Sequence, residues 1–124
     1  MYFDHFNISA PLDLLTIEKD FWCDILNFNA GFRPAFNHNG FWLYANGTDK
    51  AIIHLSESNI HAPSDNKQCL DHVAFKDNDI NSIIAKLTSR HIPFKQKHIE
   101  ELNMIQIFFT SPAGIGIEIN GENA

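Results

Sequence analysis

A short pattern occurs twice in this sequence, and the repeat constrains the fold more than any other feature. Asp4-His5 lies at the start of one apolar run, and Asp71-His72 lies at the start of another, 67 residues later. Each half also closes on an apolar run that carries a further ligand-type side chain, His54 in the first half and Glu118 in the second. The two histidine-to-ligand intervals are 49 and 46 residues. This matched spacing predicts two copies of one structural unit.

The order of predicted elements repeats as well. After each opening strand, apolar residues recur at helical spacing, first over 11–28 and then from the capping residues 77–79 to Pro93. Three strand candidates follow each helix, at 31–36, 40–45 and 50–55 in one half and at 94–99, 104–110 and 116–120 in the other. Each half therefore has the order βαβββ, and the sequence predicts an α+β fold. We expect a first module over 1–58, a polar linker over 59–68 and a second module over 69–122.

Charge and composition exclude some partners. The 124 residues carry a formal net charge of −6, and the basic residues are scattered along the chain, so we expect no nucleic-acid interface. The sequence also shows no cradle rich in lysine and arginine for a phosphonate group. No apolar run approaches the ~20 residues of a membrane helix, and the N-terminus does not resemble a signal peptide. We therefore expect a cytoplasmic protein in which Cys23 and Cys69 are free thiols.

Four ligand-type residues recur at matched positions of the two modules, which predicts a metal site. They are His5, His54, His72 and Glu118. A lone histidine in a strand is more often a hydrogen-bonded core residue, but four such residues at repeat positions favour a shared ligand set. Imidazole and carboxylate groups suit Zn, Ni, Mn, Fe(II) or Co, and an octahedral ion would keep positions open for two substrate oxygens. The bound ion would act as a Lewis acid on those oxygens.

Strand alternation predicts which other side chains lie near the metal. The expected substrate-binding residues are Asn7, Arg33, Trp42, Tyr44, Gln106 and Phe108. Gln106 is the most informative of them, because a polar amide within an apolar strand is not needed for packing. Trp42 and Phe108 either line the pocket or belong to the core. Arg33 either binds an anionic group or forms an ion pair at the rim.

Five sequence motifs in order resemble those of a known superfamily. They are Gly31-Phe32-Arg33-Pro34-Ala35-Phe36, Gly40-Phe41-Trp42-Leu43-Tyr44, Ile53-His54-Leu55, Leu70-Asp71-His72-Val73-Ala74-Phe75, and Ser111-Pro112-Ala113-Gly114 before Ile117-Glu118. Over almost its whole length the chain resembles the glyoxalase, bleomycin-resistance and extradiol-dioxygenase superfamily, also called vicinal oxygen chelate. The resemblance implies two paired βαβββ modules that form a cup-like curved mixed sheet around a divalent metal. It also implies a homodimer, because members commonly pair modules across chains.

The resemblance implies particular roles and leaves two classes of function open. Glu118 and His54 would be the catalytic residues of a small metalloenzyme of lyase, isomerase or dioxygenase type. Glyoxalase I enzymes carry Glu or Gln at the position of His54, so the second carboxylate base is missing here and glyoxalase I activity is not expected. Extradiol dioxygenases hold Fe(II) at positions like His5, His72 and Glu118, but they are usually longer. The alternative is a non-catalytic protein that binds a small molecule without metal, as bleomycin-resistance proteins do.

Overall fold

A computed structural model describes residues 1–122 of the chain. It consists of two compact units, Met1–Pro63 and the part that begins at Ser64, so the division falls within the polar stretch 59–68. Each unit contains one α-helix and one four-stranded mixed sheet, in the order βαβββ. The predicted α+β fold of two βαβββ modules is therefore confirmed. None of the helices in residues 1–122 is long and apolar enough to cross a membrane.

The first unit is built from β1 (Phe6–Ala10), α1 (Leu12–Leu26), β2 (Asn29–Gly31), β3 (Gly40–Tyr44) and β4 (Ala51–Glu57). Its strand order is β1-β4-β3-β2, with β1 parallel to β4 and the other pairs antiparallel. Helix α1 ends where Asn27 takes a left-handed conformation with φ of 59°, which an asparagine tolerates well. Its core consists of Leu15, Trp22 and Ile25 from the helix and Leu43, Ile53 and Leu55 from the sheet.

The second unit is built from β5 (Val73–Lys76), α2 (Ile80–Ser89), β6 (Lys95–Ile99), β7 (Met104–Thr110) and β8 (Gly116–Glu122), with a 3-10 turn at Glu100–Leu102. Its strand order, β5-β8-β7-β6, repeats that of the first unit. Asp79 caps α2 by accepting a hydrogen bond from the Ser82 backbone N–H at 3.2 Å. The core consists of Ile80, Ile83 and Leu87 from the helix and Ile107, Ile117 and Ile119 from the sheet.

Each sheet buries one face under its helix, and we call the opposite face the open face. Successive strand residues alternate between the two faces, and residues paired across strands share a face. His54 is in register with Asn7 on β1 and with Trp42 on β3. Glu118 is in register with Ala74 on β5 and with Phe108 on β7. The open face of the first sheet therefore carries His54 from β4, and that of the second sheet carries Glu118 from β8.

The predicted strand 31–36 is wrong, because β2 spans only Asn29–Gly31. Pro34 has no N–H to donate to a neighbouring strand, so the chain leaves the sheet before it. Other contacts anchor the segment that follows β2. The Tyr44 hydroxyl donates to the Phe32 carbonyl oxygen at 2.7 Å, and Arg33 Nη1 donates to the His38 carbonyl oxygen at 3.1 Å.

The opening strands begin slightly later than their apolar runs predict. β1 begins at Phe6 and β5 begins at Val73, so His5 and His72 each lie immediately before a strand. In both units the first strand pairs in parallel with the last one. This pairing brings the start of each module next to its final strand, as the repeat spacing predicts.

Candidate functional site

A stack of aromatic rings crosses the open face of the first sheet. The His54 ring lies between those of His5 and Trp42, with centroid distances of 3.7 and 4.1 Å and interplanar angles of 14° and 12°. Phe36 extends the row, because its ring centroid lies 6.2 Å from that of Trp42 in a tilted arrangement. The stack forms because neighbouring strands place these side chains side by side on one face.

The stack and a backbone contact fix the orientation and charge of His54. Its Nε2 lies 3.0 Å from the Ala51 carbonyl oxygen, and because a carbonyl can only accept, Nε2 carries the proton. Burial lowers the pKa of His54, and the charge of nearby His5 lowers it further. His54 is therefore a neutral imidazole at neutral pH, with the Nδ1 lone pair left for a ligand or a proton.

The same stack limits how His5 and His54 can bind metal together. The lone pair of an imidazole nitrogen lies in the plane of the ring, and nitrogen ligands sit about 2.0–2.1 Å from an ion such as zinc. Two nearly parallel rings whose centroids are 3.7 Å apart do not both direct a nitrogen at one such ion. Joint ligation by this pair would need one ring to rotate out of the stack.

Both units contain the same aspartate–histidine contact. His5 Nδ1 donates to the Asp4 carboxylate, and His72 Nδ1 donates to Asp71 Oδ2 at 3.0 Å. The hydrogen bond that His72 donates to Asp71 raises the pKa of His72, and the charge of Glu118 raises it further. A carboxylate on one ring nitrogen fixes the ring and directs the other nitrogen outward, which is the usual environment of a metal-binding histidine.

Glu118 completes a pair of donors in the second unit. Its Oε1 lies 3.4 Å from His72 Nε2, and its side chain is only 13% exposed. Its Oε2 accepts a hydrogen bond from Asn120 Nδ2 at 2.8 Å and a weaker one from Gln106 Nε2 at 3.5 Å. Because the amides hold Oε2, Oε1 is the oxygen presented beside His72. An imidazole nitrogen and a carboxylate oxygen are donors that suit a divalent transition metal.

Sequence reasoning did not include Asn120 in the site. The signal was present, because Asn120 lies two residues after Glu118 on the same strand and therefore shares its face. The contact itself depends on the two side-chain conformations, which strand alternation does not specify.

The structure brings the predicted ligands together as two pairs, His5 with His54 and His72 with Glu118. Within residues 1–122, no group of three or more His, Cys, Asp or Glu side chains is close enough to hold a metal ion. A metal site built from all four residues therefore stays a prediction.

A cavity of about 470 Å³ opens on the first sheet beside the ring stack. Its walls include two predicted substrate-binding residues, Trp42 and Tyr44, together with the ligand candidate His54. This volume falls within the ~300–1,000 Å³ that is usual for small-molecule sites. The Tyr44 hydroxyl is already bonded to the Phe32 carbonyl oxygen, so Tyr44 presents mainly its ring.

The other predicted substrate-binding residues have varied surroundings. Asn7 accepts a hydrogen bond from the Ser56 hydroxyl at 2.7 Å on the open face. Phe108 is half-buried on the open face of the second sheet, in register with Glu118. The Arg33 guanidinium stacks on the Phe36 ring at 4.8 Å and holds its own loop, so the structure shows no ion pair for it within residues 1–122.

Known structures share this architecture. A glyoxylase/bleomycin resistance protein/dioxygenase domain from Frankia sp. EAN1pec has a TM-score of 0.78 and 16% identity over 98% of each chain. TnmS3, an antibiotic binding protein from Streptomyces sp. CB03234, has a TM-score of 0.66 and 19% identity over 98% of each chain. FosX from Listeria monocytogenes, in a complex with Mn(II) and sulfate, has a TM-score of 0.69 and 12% identity over 95% of this chain and 89% of that one.

These similarities identify the class of fold. The chain has the same fold as these glyoxalase and glyoxylase/bleomycin resistance protein/dioxygenase structures, so the resemblance carried by the sequence motifs is confirmed at the level of the fold. No protein-family model and no curated protein sequence gives a significant match to the chain.

Proposed function

We propose that this protein is a divalent-metal-dependent enzyme that acts on a small substrate through two vicinal oxygens, by lyase, isomerase or dioxygenase chemistry. One observation carries the proposal. The same aspartate–histidine contact occurs at the corresponding place in both units. In each contact Nδ1 is bonded to the aspartate, so Nε2 of His5 and of His72 is the nitrogen available to bind a metal. The Mn(II) complex of FosX supports it, because that protein has the same fold.

The proposal assigns a role to each contact around Glu118. His72 Nε2 and Glu118 Oε1 are metal donors, and Asn120 keeps the carboxylate from rotating away from His72. When bound, the metal would polarise a substrate oxygen and stabilise negative charge on it. His5 is a further donor in the proposed set.

His54 is the second catalytic residue of the proposal. Its unprotonated Nδ1 makes it either a ligand or a base that takes a proton from the substrate. Isomerisation of a glutathione hemithioacetal is not part of the proposal. Of the four proposed ligands, only Glu118 is a carboxylate, and glyoxalase I enzymes use two.

Metal binding after chelation tests this proposal. We expect about one ion per chain for at least one of Zn, Ni, Mn, Fe(II) and Co, measured by elemental analysis and calorimetry. His72→Ala and Glu118→Gln should each weaken binding at least about tenfold, because each removes a donor. His98→Ala is the matched control, since His98 is an exposed histidine on β6. Loading far below one for every metal would rule out the metalloenzyme.

A second candidate function is the binding of a small molecule without metal. The ring stack and the cavity of the first unit favour it, because aromatic walls suit a flat organic ligand. TnmS3, described as an antibiotic binding protein, has the same fold. A thermal-shift screen of catechols and α-hydroxycarbonyl compounds separates the two functions. Shifts that need metal and accompany turnover support the enzyme, whereas shifts without metal or turnover support the binding protein.

We propose a cytoplasmic homodimer whose partner is a small-molecule substrate, with no nucleic acid and no membrane surface involved. Cys23 and Cys69 are free thiols, which suits a reducing compartment.

A further inference from the structure

Two rows of paired residues cross the open face of the second sheet. The first row contains Lys76, Asn120, Gln106 and Lys97, in the order β5, β8, β7, β6. The second row contains Ala74, Glu118, Phe108 and Lys95 in the same strand order. Paired residues share a face, so the two edge strands bring three lysines to the face that holds Glu118 and its amides. These lysines are scattered in the sequence, and the strand register places them on one face.

The three lysines on this face form no ion pair within residues 1–122. Although the chain has a net charge of −6, no ion pair joins Lys76, Lys95 or Lys97 to a carboxylate anywhere in residues 1–122. Glu118, the acid in the second row, faces His72 and accepts hydrogen bonds from two amides. Glu122 also lies on this face, two residues after Asn120 on β8, so within residues 1–122 the three lysines share the face with two acids but form no ion pair with either.

Protection of the sheet edges is a competing explanation for these lysines. Lysines on edge strands prevent pairing with other chains, and β5 and β6 are the edges of this sheet. Edge protection does not select a face of the sheet, however. On β6 both lysines lie on the open face, while the opposite face carries Gln96 and His98. Because Gln96 and His98 are both exposed, a lysine would be accommodated at either position.

We propose that the open face of the second sheet binds a small oxyanion, a carboxylate or phosphate group carried by the substrate. Lys97 and Lys95 would attract it as point charges, and the Gln106 amide beside Lys97 would donate a hydrogen bond to it. The contact of Gln106 with Glu118 is long at 3.5 Å, so this amide can turn toward a ligand. The inference rests on the proposed function and narrows its substrate class to organic anions.

Anion binding by the metal-free protein tests the inference. Inorganic phosphate and lactate are titrated separately at low ionic strength, with calorimetry and amide chemical shifts as the readouts. We expect at least one of them to bind, and binding should weaken as salt is raised because the charges are exposed. Lys97→Gln and Lys95→Gln should each weaken binding about two- to fivefold, and the triple variant with Lys76→Gln should weaken it more than about tenfold. Lys86→Gln, on helix α2 of the same unit, is the control and should leave affinity unchanged.

The outcomes separate this inference from the proposed metal chemistry. Binding of lactate alone indicates a carboxylate substrate, and binding of phosphate alone indicates a phosphate ester. If neither anion binds, or if the triple variant binds as the parent does, the inference is overturned even when the protein holds metal. Aggregation of the lysine variants at unchanged anion affinity would assign the lysines to edge protection. If the protein binds an anion but takes up none of Zn, Ni, Mn, Fe(II) and Co when they are added, the anion site is kept and the metalloenzyme is ruled out.

Discussion

At the scale of single residues, the two central histidines have opposite electrostatic surroundings. His72 donates Nδ1–H to a carboxylate, which stabilises its protonated form. His54 is packed between two rings and donates to a carbonyl oxygen, and burial stabilises its neutral form. The two histidines therefore have different chemistry in the folded protein, one favouring the protonated and the other the neutral imidazole.

Titration of the histidines by NMR, in protein from which metal has been removed with a chelator, should show that the pKa values of His72 and His54 differ. The pKa of His72 should lie above the ordinary ~6.5 and that of His54 below it. Because folding raises the pKa of His72, the stability that it contributes is complete below the unfolded-state pKa and lost as pH rises through the folded-state pKa. His54 acts in the opposite sense, so acidification through its range favours unfolding. Asp71→Asn should return the pKa of His72 toward the ordinary value, and no change in that variant would contradict the argument.

Substitution of His54 distinguishes a ligand from a base. His72→Ala should weaken metal binding strongly, because Nε2 is one of the two converging donors. If His54 stays in the ring stack, it is not a metal ligand, and His54→Ala should change metal affinity by less than about threefold. The loss typical for a metal ligand is ~10-fold or more. Turnover should fall in this variant, because the base is removed. Calorimetry on both variants measures the difference. An equal loss of affinity in the two would show that His54 leaves the stack and ligates the metal.

Asn120 should act on the metal through Glu118. Asn120→Ala removes the 2.8 Å hydrogen bond that holds Oε2, so metal affinity should fall roughly tenfold without loss of the fold. Gln96→Ala is the matched amide control, since Gln96 is exposed on the opposite face of the sheet. An Asn120→Ala protein with the parent's affinity would show that the amide does not orient the carboxylate.

At the scale of elements, the parallel pairing of the first and last strands builds each half-site. β1 lies beside β4 and β5 lies beside β8, so the residue before the first strand meets the centre of the last strand. In the second unit this approach requires a glycine. A Cβ added at Gly116 would lie 2.4 Å from the Asp71 carbonyl oxygen and 3.2 Å from His72 Cβ. The absent side chain of Gly116 therefore lets the aspartate–histidine pair reach β8.

Gly116→Ala tests this dependence of the site on strand approach. The new methyl group should push the start of β5 away from β8, at a cost of about 1–3 kcal/mol in the free energy of unfolding, because backbone must shift. Metal affinity should fall with it, since His72 moves relative to Glu118. Thr110→Ala, at the exposed position paired with Gly116, should change stability by less than about 0.5 kcal/mol in denaturant titrations. Equal stability of the two variants would contradict the close-approach argument.

At the scale of the whole molecule, several large apolar side chains remain exposed. They include Tyr2 and Phe3 in the N-terminal segment, together with Phe32, Leu70 and Leu102. Exposed apolar surface of this kind is typical of interaction sites. It is consistent with the proposed pairing of two chains.

We expect a homodimer at micromolar concentration, with the two-fold symmetry that is commonest among small assemblies. Sedimentation velocity measures the mass directly, and Phe3→Ser with Phe32→Ser should shift the equilibrium toward monomer if these rings lie in the interface. A parent protein that sediments as a monomer of 14.1 kDa would contradict the prediction.

Local patterns in the sequence were sufficient for the element order and the repeat. Both helices follow from apolar spacing, five of the eight strands lie largely within their predicted ranges, and the two opening strands are shifted toward the C-terminus. The predicted strand 31–36 failed because it contains Pro34, and the contact of Arg33 with the His38 carbonyl oxygen depends on the loop that forms there instead. The repeat also predicted that His72 and Glu118 lie close together, because each half has a ligand-type residue at its first and at its last strand, and β5 does pair with β8.

Only the tertiary structure decided which side chains touch. Alternation assigns a residue to a face, but it does not say which strands are neighbours or which rotamer a side chain adopts. The stacking of His54 on Trp42, the hold of Asn120 on Glu118, and the three lysines on one sheet face all depend on strand order and register. The sequence alone therefore determined the duplicated fold and its polar candidates, because periodicity is a local property. The chemistry of the site came from contacts between strands, which are set when the whole chain folds.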